Sequence, residues 1–361
     1  MKDPATAAPP ARVEIVAIAE SGLPELSRFV AEQTAASLDS VEARLRWFLL
    51  QNPAREDRTP LGWELRRPDG GLAGCLLCGP QLFRFRQSTL LLMGSSTFYV
   101  DAAHRGAGGM LFLQYSQLNA KWPLFGDSTN VESAGLWKAR GASPIPNADH
   151  ELLGVLEWKP LLEEILIRRG MNPGVSRGTS WLSSPFASVY KRLLFSHSES
   201  ADLILLESAE QVLDLPIHGP PEFLTGARDG AYVHWRYFIR DKMAEVLAFR
   251  SAKSSDPILV TVNQRPRGYR GHIRPLNVLD VYPPPKPDVY RLIAGALAER
   301  YRGLADVIVF RGQNPACQTA LCQIGFMRRP FDVPCAWTLD KSHLLPSADW
   351  YLVPADGDWI L

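Results

Sequence analysis

Apolar positions along this chain fall into two recurring patterns: short alternating or wholly apolar runs, and longer stretches with an apolar residue every three or four positions. Val13 to Ala19 alternates and predicts a strand. Leu23 to Glu32 and Ser40 to Gln51 carry helical spacing, the second with Leu38-Asp39-Ser40 supplying cap chemistry. Leu61 to Arg67 and Leu72 to Cys78 predict a hairpin around Pro68-Asp69-Gly70-Gly71. A further strand is expected from about Thr89 to Val100, then a Gly-rich loop from Asp101 to Gly109 and a helix from Met110 to about Ala120. Pro123 to Ser128 reads as a strand, and Val131 to Ala139 as a helix stopped by Gly141.

That order then comes a second time. Asp202 to Glu207 predicts a strand, Tyr232 to Ile239 a helix centred on Trp235, and Ala244 to Arg250, Pro257 to Asn263 and Arg274 to Val281 three strands. Val289 to Tyr301 is a helix, Asp306 to Phe310 a strand, and Ala316 to Cys322 a helix stopped by Gly325. Asn130 to Gly141 spans eleven positions, and so does Asn314 to Gly325. Trp47 and Trp235 occupy corresponding helices at an offset of 188, against 184 for the Asn pair. Matching elements in matching order point to two copies of one α/β domain. The expected division is a disordered lead over 1–11, domains over 12–155 and 201–361, and a linker with packing helices over 156–200.

Composition narrows the class without changing this picture. With 361 residues, 46% hydrophobic and 21% charged, the chain is long enough for two cores and unlike a disordered protein. The formal net charge of +1 excludes a whole-chain electrostatic footprint for nucleic acid. No apolar stretch approaches the roughly 18–20 residues of a membrane helix, and Met1 to Arg12 is Ala/Pro-rich without the apolar segment of a secretory signal. Five Cys, an odd count, fit a reducing compartment. A cytoplasmic protein without a membrane partner is expected.

The segment richest in chemistry runs from Ser96 through Phe98, Tyr99, Val100, Asp101, His104, Arg105, Gly106, Ala107, Gly108 and Gly109 to Met110. A strand feeds a glycine-bearing turn, and a helix begins where the glycines end. Amides at a helix start, the helix dipole and the Arg105 charge together suit phosphate oxygens. No Gly-Lys-Ser/Thr follows, which excludes a Walker loop. Gly106-x-Gly108 with Asp127 matches a dinucleotide fingerprint in part, but Leu111 stands where its third glycine belongs.

Val100-x-x-x-x-Arg105-Gly106-x-Gly108, followed by a helix, a strand, Asn130 and Gly141, resembles the acyl-CoA-binding core of GNAT-type N-acyltransferases. The fold so implied is α/β: two GNAT-like domains in tandem, each a mixed, mostly antiparallel sheet flanked by helices. With Trp235-Arg236-Tyr237 and the Asp356-Gly357-Asp358-Trp359 tail, the chain is similar to bacterial tandem proteins of that type associated with cell-surface polysaccharide or amino-sugar acylation. The resemblance implies acetyl-CoA or another acyl-CoA as co-substrate and direct attack by an amine of a small or saccharide-linked acceptor. It implies donor contacts from Phe98, Tyr99, Val100, the loop Arg105 to Met110, Asn130 and the position of Trp137.

The family pattern is not kept throughout. Met110 replaces a small residue at the end of the loop. Trp137 and, in the second half, Leu321 stand where a Tyr often protonates the departing thiolate. Tyr282-Pro283-Pro284-Pro285-Lys286-Pro287 replaces the second glycine loop, and proline has no N–H to offer a phosphate.

Candidates for proton transfer are Asp127 at a strand end, His104 in the loop and Tyr99 beside the thioester-binding strand. Glu132 sits where a carboxylate complements a helix dipole. Cys75 and Cys78 form a lone CxxC whose members face opposite sides of a strand. No His/Cys/carboxylate spacing predicts a metal. Arg265, Arg267, Arg270, His272 and Arg274, with Tyr269, make a basic patch suited to an anionic acceptor or a tRNA backbone. Two other readings stay open: a Fem-type transferase using charged tRNA, and a non-catalytic CoA-binding protein.

Overall fold

The structure is a computed structural model that describes residues 13–172, 201–213, 215, 223–239, 244–252, 254–266, 272–311, 314–341, 345 and 349–356. The expected N-terminal lead, most of the linker, Arg267, Tyr269, Arg270 and the Gly357-Asp358-Trp359 tail lie outside the described residues.

Strand β1 (Glu14–Ala17) is followed by helices α1 (Leu23–Thr34) and α2 (Leu38–Leu49). Leu26, Phe29 and Val30 of α1, and Val41, Leu45 and Phe48 of α2, recur at helical spacing and are buried. The α2 cap is Ser37, one residue before the expected trio, and its hydroxyl accepts from the Ser40 amide. Strands β2 (Gly62–Arg66), β3 (Leu72–Phe85) and β4 (Ser88–Val100) make an antiparallel meander, then helix α3 (Gly108–Gln117), β5 (Leu124–Gly126) and α4 (Val131–Ala139) follow. β3 runs seven residues past its expected end at Cys78, to Phe85, because its far half pairs with β4 residue by residue.

β6 (Ser143–Pro144), β7 (His150–Val155) and α5 (Trp158–Arg168) lead to the second part. There the order is β8 (Ala201–Leu206), α6 (Ala209–Leu213), β9 (Phe223–Gly226), α7 (Gly230–Val233), β10 (Glu245–Ser251), β11 (Ser254–Gln264) and β12 (Pro275–Tyr282). It continues with α8 (Pro287–Arg300), β13 (Val307–Phe310), α9 (Pro315–Gln323), β14 (Met327–Pro330), β15 (Trp337–Leu339) and β16 (Asp349–Tyr351). The expected helix around Trp235 is α7 continued by a π-helical turn, His234–Phe238.

Two mixed sheets flanked by helices result, as the resemblance implies. The first runs β1-β2-β3-β4-β5-β15-β6 with β9 and β16 beside it, and the second β14-β7-β13-β12-β11-β10-β8. Two strands cross over. β7 pairs with β13 and β14 in the second sheet, while β15 lies between β5 and β6 in the first. The chain position 155/156 is therefore not a boundary between sheets. Alternating polarity reports that a strand exists but not whose edge it completes.

The helices after β5 and β13 start and stop alike. The Asn130 side chain accepts from the Ser133 amide and that of Asn314 from the Ala316 amide, while Gly141 and Gly325 take φ of +77° and +97° just past the ends. Trp47 and Trp235 meet face to face, ring centroids 4.6 Å apart with 13° between planes. Each indole N–H donates to the other's backbone carbonyl, at 2.8 and 2.9 Å.

Trp47→Ala and Trp235→Ala should each destabilise the protein by about 3–5 kcal/mol. Because the partners share one stack and two reciprocal bonds, the double variant should cost about 0.5–3 kcal/mol less than the sum. Urea unfolding of the four proteins measures this, and strict additivity would contradict the reciprocal arrangement.

Candidate functional site

The site begins with a defect in β4. Tyr99 pairs with Cys75 and Ser96 with Leu77, so Thr97 and Phe98 crowd opposite Leu76 alone. Thr97 absorbs the extra residue at φ +46°, a region that β-branched side chains seldom enter, at a cost of about 1–3 kcal/mol. On the other side, β4 pairs with the parallel β5 only through Met93–Leu124 and Gly94–Phe125. Beyond Gly94 the bulge turns the strand away, and the two part.

A narrow crevice of about 20 Å³ occupies the parting, lined by Ser95, Ser96, Asp127, Asn52, Trp235 and Arg236, with Phe48, Phe125, Gln81 and Asp356 among its other walls. Asp127 follows the last residue of β5 and is 4% exposed. Arg236, 5% exposed, comes from the π-helical turn, its guanidinium 5.4 Å from the Trp47 ring centroid and 5.6 Å from that of Trp235. A desolvated cation over two indoles gains up to about 2 kcal/mol from each. A carboxyl and a guanidinium thus line one narrow crevice, each shielded from bulk solvent.

Behind that wall lies a buried ion cluster. Arg228 reaches Asp280 at 2.7 Å and Asp356 at 2.6 Å, and all three side chains are fully buried. Tyr237 donates to Asp280 at 2.5 Å, and Gln81 donates to Asp356 at 3.3 Å. Burial raises the Asp356 carboxyl, against the pull of Arg228. The cluster fits only because residue 226 is glycine: a Cβ there would lie 2.1 Å from Asp356 Oδ1 and 2.4 Å from Arg228 Nη1.

Of the three candidates for proton transfer, Asp127 is the one brought into this crevice, and Ser96, Trp235, Arg236 and Asp356, noted in the sequence without a role in catalysis, line it too. Tyr99 lies partly buried on the α1/α2 side of the sheet, packed against that core. His104 turns back on the loop, its Nδ1 2.7 Å from Asp101 Oδ1. Phe98 and Val100 pack on the opposite face with α3, and Gly108 sits against both, a Cβ there meeting them at 3.4–3.5 Å. The glycine loop differs from expectation. Ala102–Ala107 is a 3-10 helix running straight into α3, and none of Gly106, Gly108 and Gly109 takes a positive φ. Its amides bond internally, His104 N–H to Asp101 and Gly108 N–H to Arg105 carbonyls. What the glycine at 106 provides is space: a Cβ there meets nothing within 4 Å, next to the exposed Arg105, while Ala107 is partly buried and Gly109 and Met110 begin α3. Asn130 is an exposed helix cap. Trp137 is in the core, its ring against Phe112 and Tyr115 and pressed onto Gly126.

Sequence reasoning missed Arg236, Ser96, Asn52 and Asp356 as partners of Asp127. The only signal available was the pairing of Trp47 with Trp235, which places α2 and the π-helical turn side by side. Cys75 and Cys78 do face opposite cores, and burial pushes the Cys75 thiol up to about 12, so it holds no thiolate at neutral pH. Among the described residues no three His, Cys, Asp or Glu side chains converge on a point that could hold a metal, and no helix is long and apolar enough to cross a membrane.

No protein-family model matches the chain, and no curated protein matches it in sequence. Solved structures do match in shape. A conserved protein of unknown function from Enterococcus faecalis V583, described as a probable N-acyltransferase, aligns over 91% of this chain and 72% of its own at 8% identity and a TM-score of 0.54. Saccharomyces cerevisiae N-myristoyltransferase with bound myristoyl-CoA aligns over 85% of this chain and 78% of its own at 12% identity and a TM-score of 0.52. A second structure of that enzyme gives 0.50 at 11% identity. At such identities the likeness shows the fold alone: this chain has the mixed α/β fold of these N-acyltransferase structures, with two mixed sheets flanked by helices.

Gly226→Ala should lower stability by at least about 3 kcal/mol, because the new methyl must displace a buried ion pair. Urea unfolding checks it, and a loss under about 1 kcal/mol would contradict the packing of Arg228 and Asp356 against that backbone.

Proposed function

We propose that this protein is an acyl-CoA-dependent N-acyltransferase, most simply an acetyltransferase, acting on an amine of a small or saccharide-linked acceptor. The observation that carries the reading is the bulged end of β4 parting from β5 with the buried carboxylate of Asp127 at the opening. The fold supports the same donor class, since the yeast enzyme of this fold is described with bound myristoyl-CoA. Fold alone would not name a reaction; the crevice supplies the local chemistry.

In this reading the parting strands take the pantetheine arm, with Phe98, Tyr99 and Val100 offering backbone groups that β5 no longer uses. Arg105 and the open side of Gly106 face the donor's phosphates, at the start of α3. The donor supplies an acyl group activated as a thioester. Asp127 takes the proton from the acceptor amine as its nitrogen bonds to the acyl carbon, and the carbon–sulfur bond breaks. The proton then passes through solvent to the departing thiolate, since Trp137 is in the core and has no acid to give. Arg236 adds a cationic group to the same crevice wall.

We read the chain as two copies of one domain, over 12–155 and 201–361, joined by 156–200 and working in the cytoplasm. The like caps of α4 and α9 and the reciprocal Trp47 and Trp235 contacts support duplication. The first copy binds the donor, and the second covers it and shapes the acceptor side.

Isothermal titration with acetyl-CoA and myristoyl-CoA tests the donor site. Saturable binding is expected in the wild type and its loss in Gly106→Trp, whose side chain enters open space and should leave the fold intact. No binding to either by the folded wild type would overturn the reading. With an acceptor in hand, Asp127→Asn should lower kcat by about 10²–10⁴ with little change in donor affinity.

A further inference from the structure

The second sheet contains an opening made the same way as the first. β12 and β13 run parallel and pair only from Pro275–Val307 to Val278–Phe310. The β11–β12 register slips between Thr261 and Val262, leaving Leu279 as the extra residue, and β13 stops at Phe310 while β12 continues to Tyr282. The cavity at this parting is larger, about 290 Å³ against about 20 Å³. That is close to the lower end for a small-molecule site, about 300 Å³.

Its lining inverts the charge of the first. The residue just past β5 is Asp127; the residue just past β13 is Arg311, at the same offset of 184 that separates Asn130 from Asn314. Arg311 and Arg265 both line the cavity, with Asn263, Asn277, Leu279 and Val309. Glu151 accepts from Arg311 Nε at 2.8 Å and pairs with Arg329 at 3.0 Å, so one buried carboxylate faces two guanidiniums. Arg265 also feels Arg44: burial first, and then the Arg44 charge, lower its pKa. Arg44 Nε and Nη2 are themselves buried with no hydrogen-bond acceptor among the described residues. Among the described residues the cavity lining holds two guanidiniums, Arg265 and Arg311, and no carboxylate, and the two amides, joined Asn277 Nδ2 to Asn263 Oδ1 at 3.0 Å, add polar groups of both kinds.

We propose that this second opening binds a small anionic molecule, its carboxylate or phosphate held between Arg265 and Arg311 and its neutral polar atoms met by Asn263 and Asn277. Guanidiniums match such oxyanions two hydrogen bonds at a time. The Pro287 end of the preceding proline run offers no amide cradle, so this is side-chain recognition and not a second donor loop. The C-terminal turn Pro354–Asp356 lines both openings, Pro354 the second and Asp356 the first. An anion seated in the second therefore lies one short turn from the first. Its role as the anionic end of the acceptor rests on the transferase reading; the binding site itself does not.

The test is isothermal titration of the full chain with inorganic phosphate and, separately, with succinate, at fixed ionic strength. One-to-one binding of at least one is expected, and which one binds separates the phosphate from the carboxylate source. Binding should persist in Gly106→Glu, which blocks the donor loop, and weaken by about tenfold or more in Arg265→Gln and in Arg311→Lys, the latter keeping a charge opposite Glu151. No saturation by either anion, wild-type affinity in both arginine variants, or loss in Gly106→Glu would overturn the proposal. Parallel titration of the wild type with acetyl-CoA keeps the two readings apart: no donor binding by the wild type with its anion binding intact contradicts only the transferase assignment.

Discussion

Two indoles stacked 4.6 Å apart, each donating its N–H to the other's backbone carbonyl, hold the two parts of this protein in one relation. A stack alone tolerates sliding, and a hydrogen bond alone tolerates tilting. Two reciprocal bonds around a stack permit neither. The constraint reaches the crevice directly, because Arg236 follows Trp235 and lies over both rings. It also explains the π-helical turn, since one extra residue per turn rotates Trp235 and Arg236 onto α2 together. The exchange of β7 and β15 ties the sheets a second time, and neither sheet is complete without chain from the far end.

On that frame the charges are arranged by sheet. Arg228, Asp280 and Asp356 form a sealed cluster between the openings, where burial is tolerable because each charge has a partner and Tyr237 and Gln81 fill remaining lone pairs. The two openings arise from the same defect, a bulge beside a short parallel pairing, yet one ends in Asp127 and the other in Arg311. A carboxylate suits taking a proton from an amine; a guanidinium suits holding an oxyanion. The two bulged pairings therefore leave openings of different lining, with Pro354–Asp356 between them.

Local chemistry made much of this readable in advance. The bounds of α4 follow from the Asn130 cap and Gly141, both local devices, and the strand meander follows from its alternation and the Pro-Asp-Gly-Gly turn. The reading failed where the deciding contact is distant. His150–Val155 is absent from the expected strands, and its partners, β13 and β14, lie far along the chain. The glycines of 106–109 permit many conformations, so their presence did not specify a 3-10 turn. Arg236 and Asp356 are ordinary charges in sequence; only the Trp47 stack and Gly226, with room for no side chain, bring them to the crevice.

Hydrogen exchange of the full chain, with and without saturating acetyl-CoA, tests the central claim most directly. The account predicts slower exchange for the amides of Phe98 to Val100 and Arg105 to Met110, with Val278 to Tyr282 unchanged. Protection confined to the second sheet, or none at all, would contradict it.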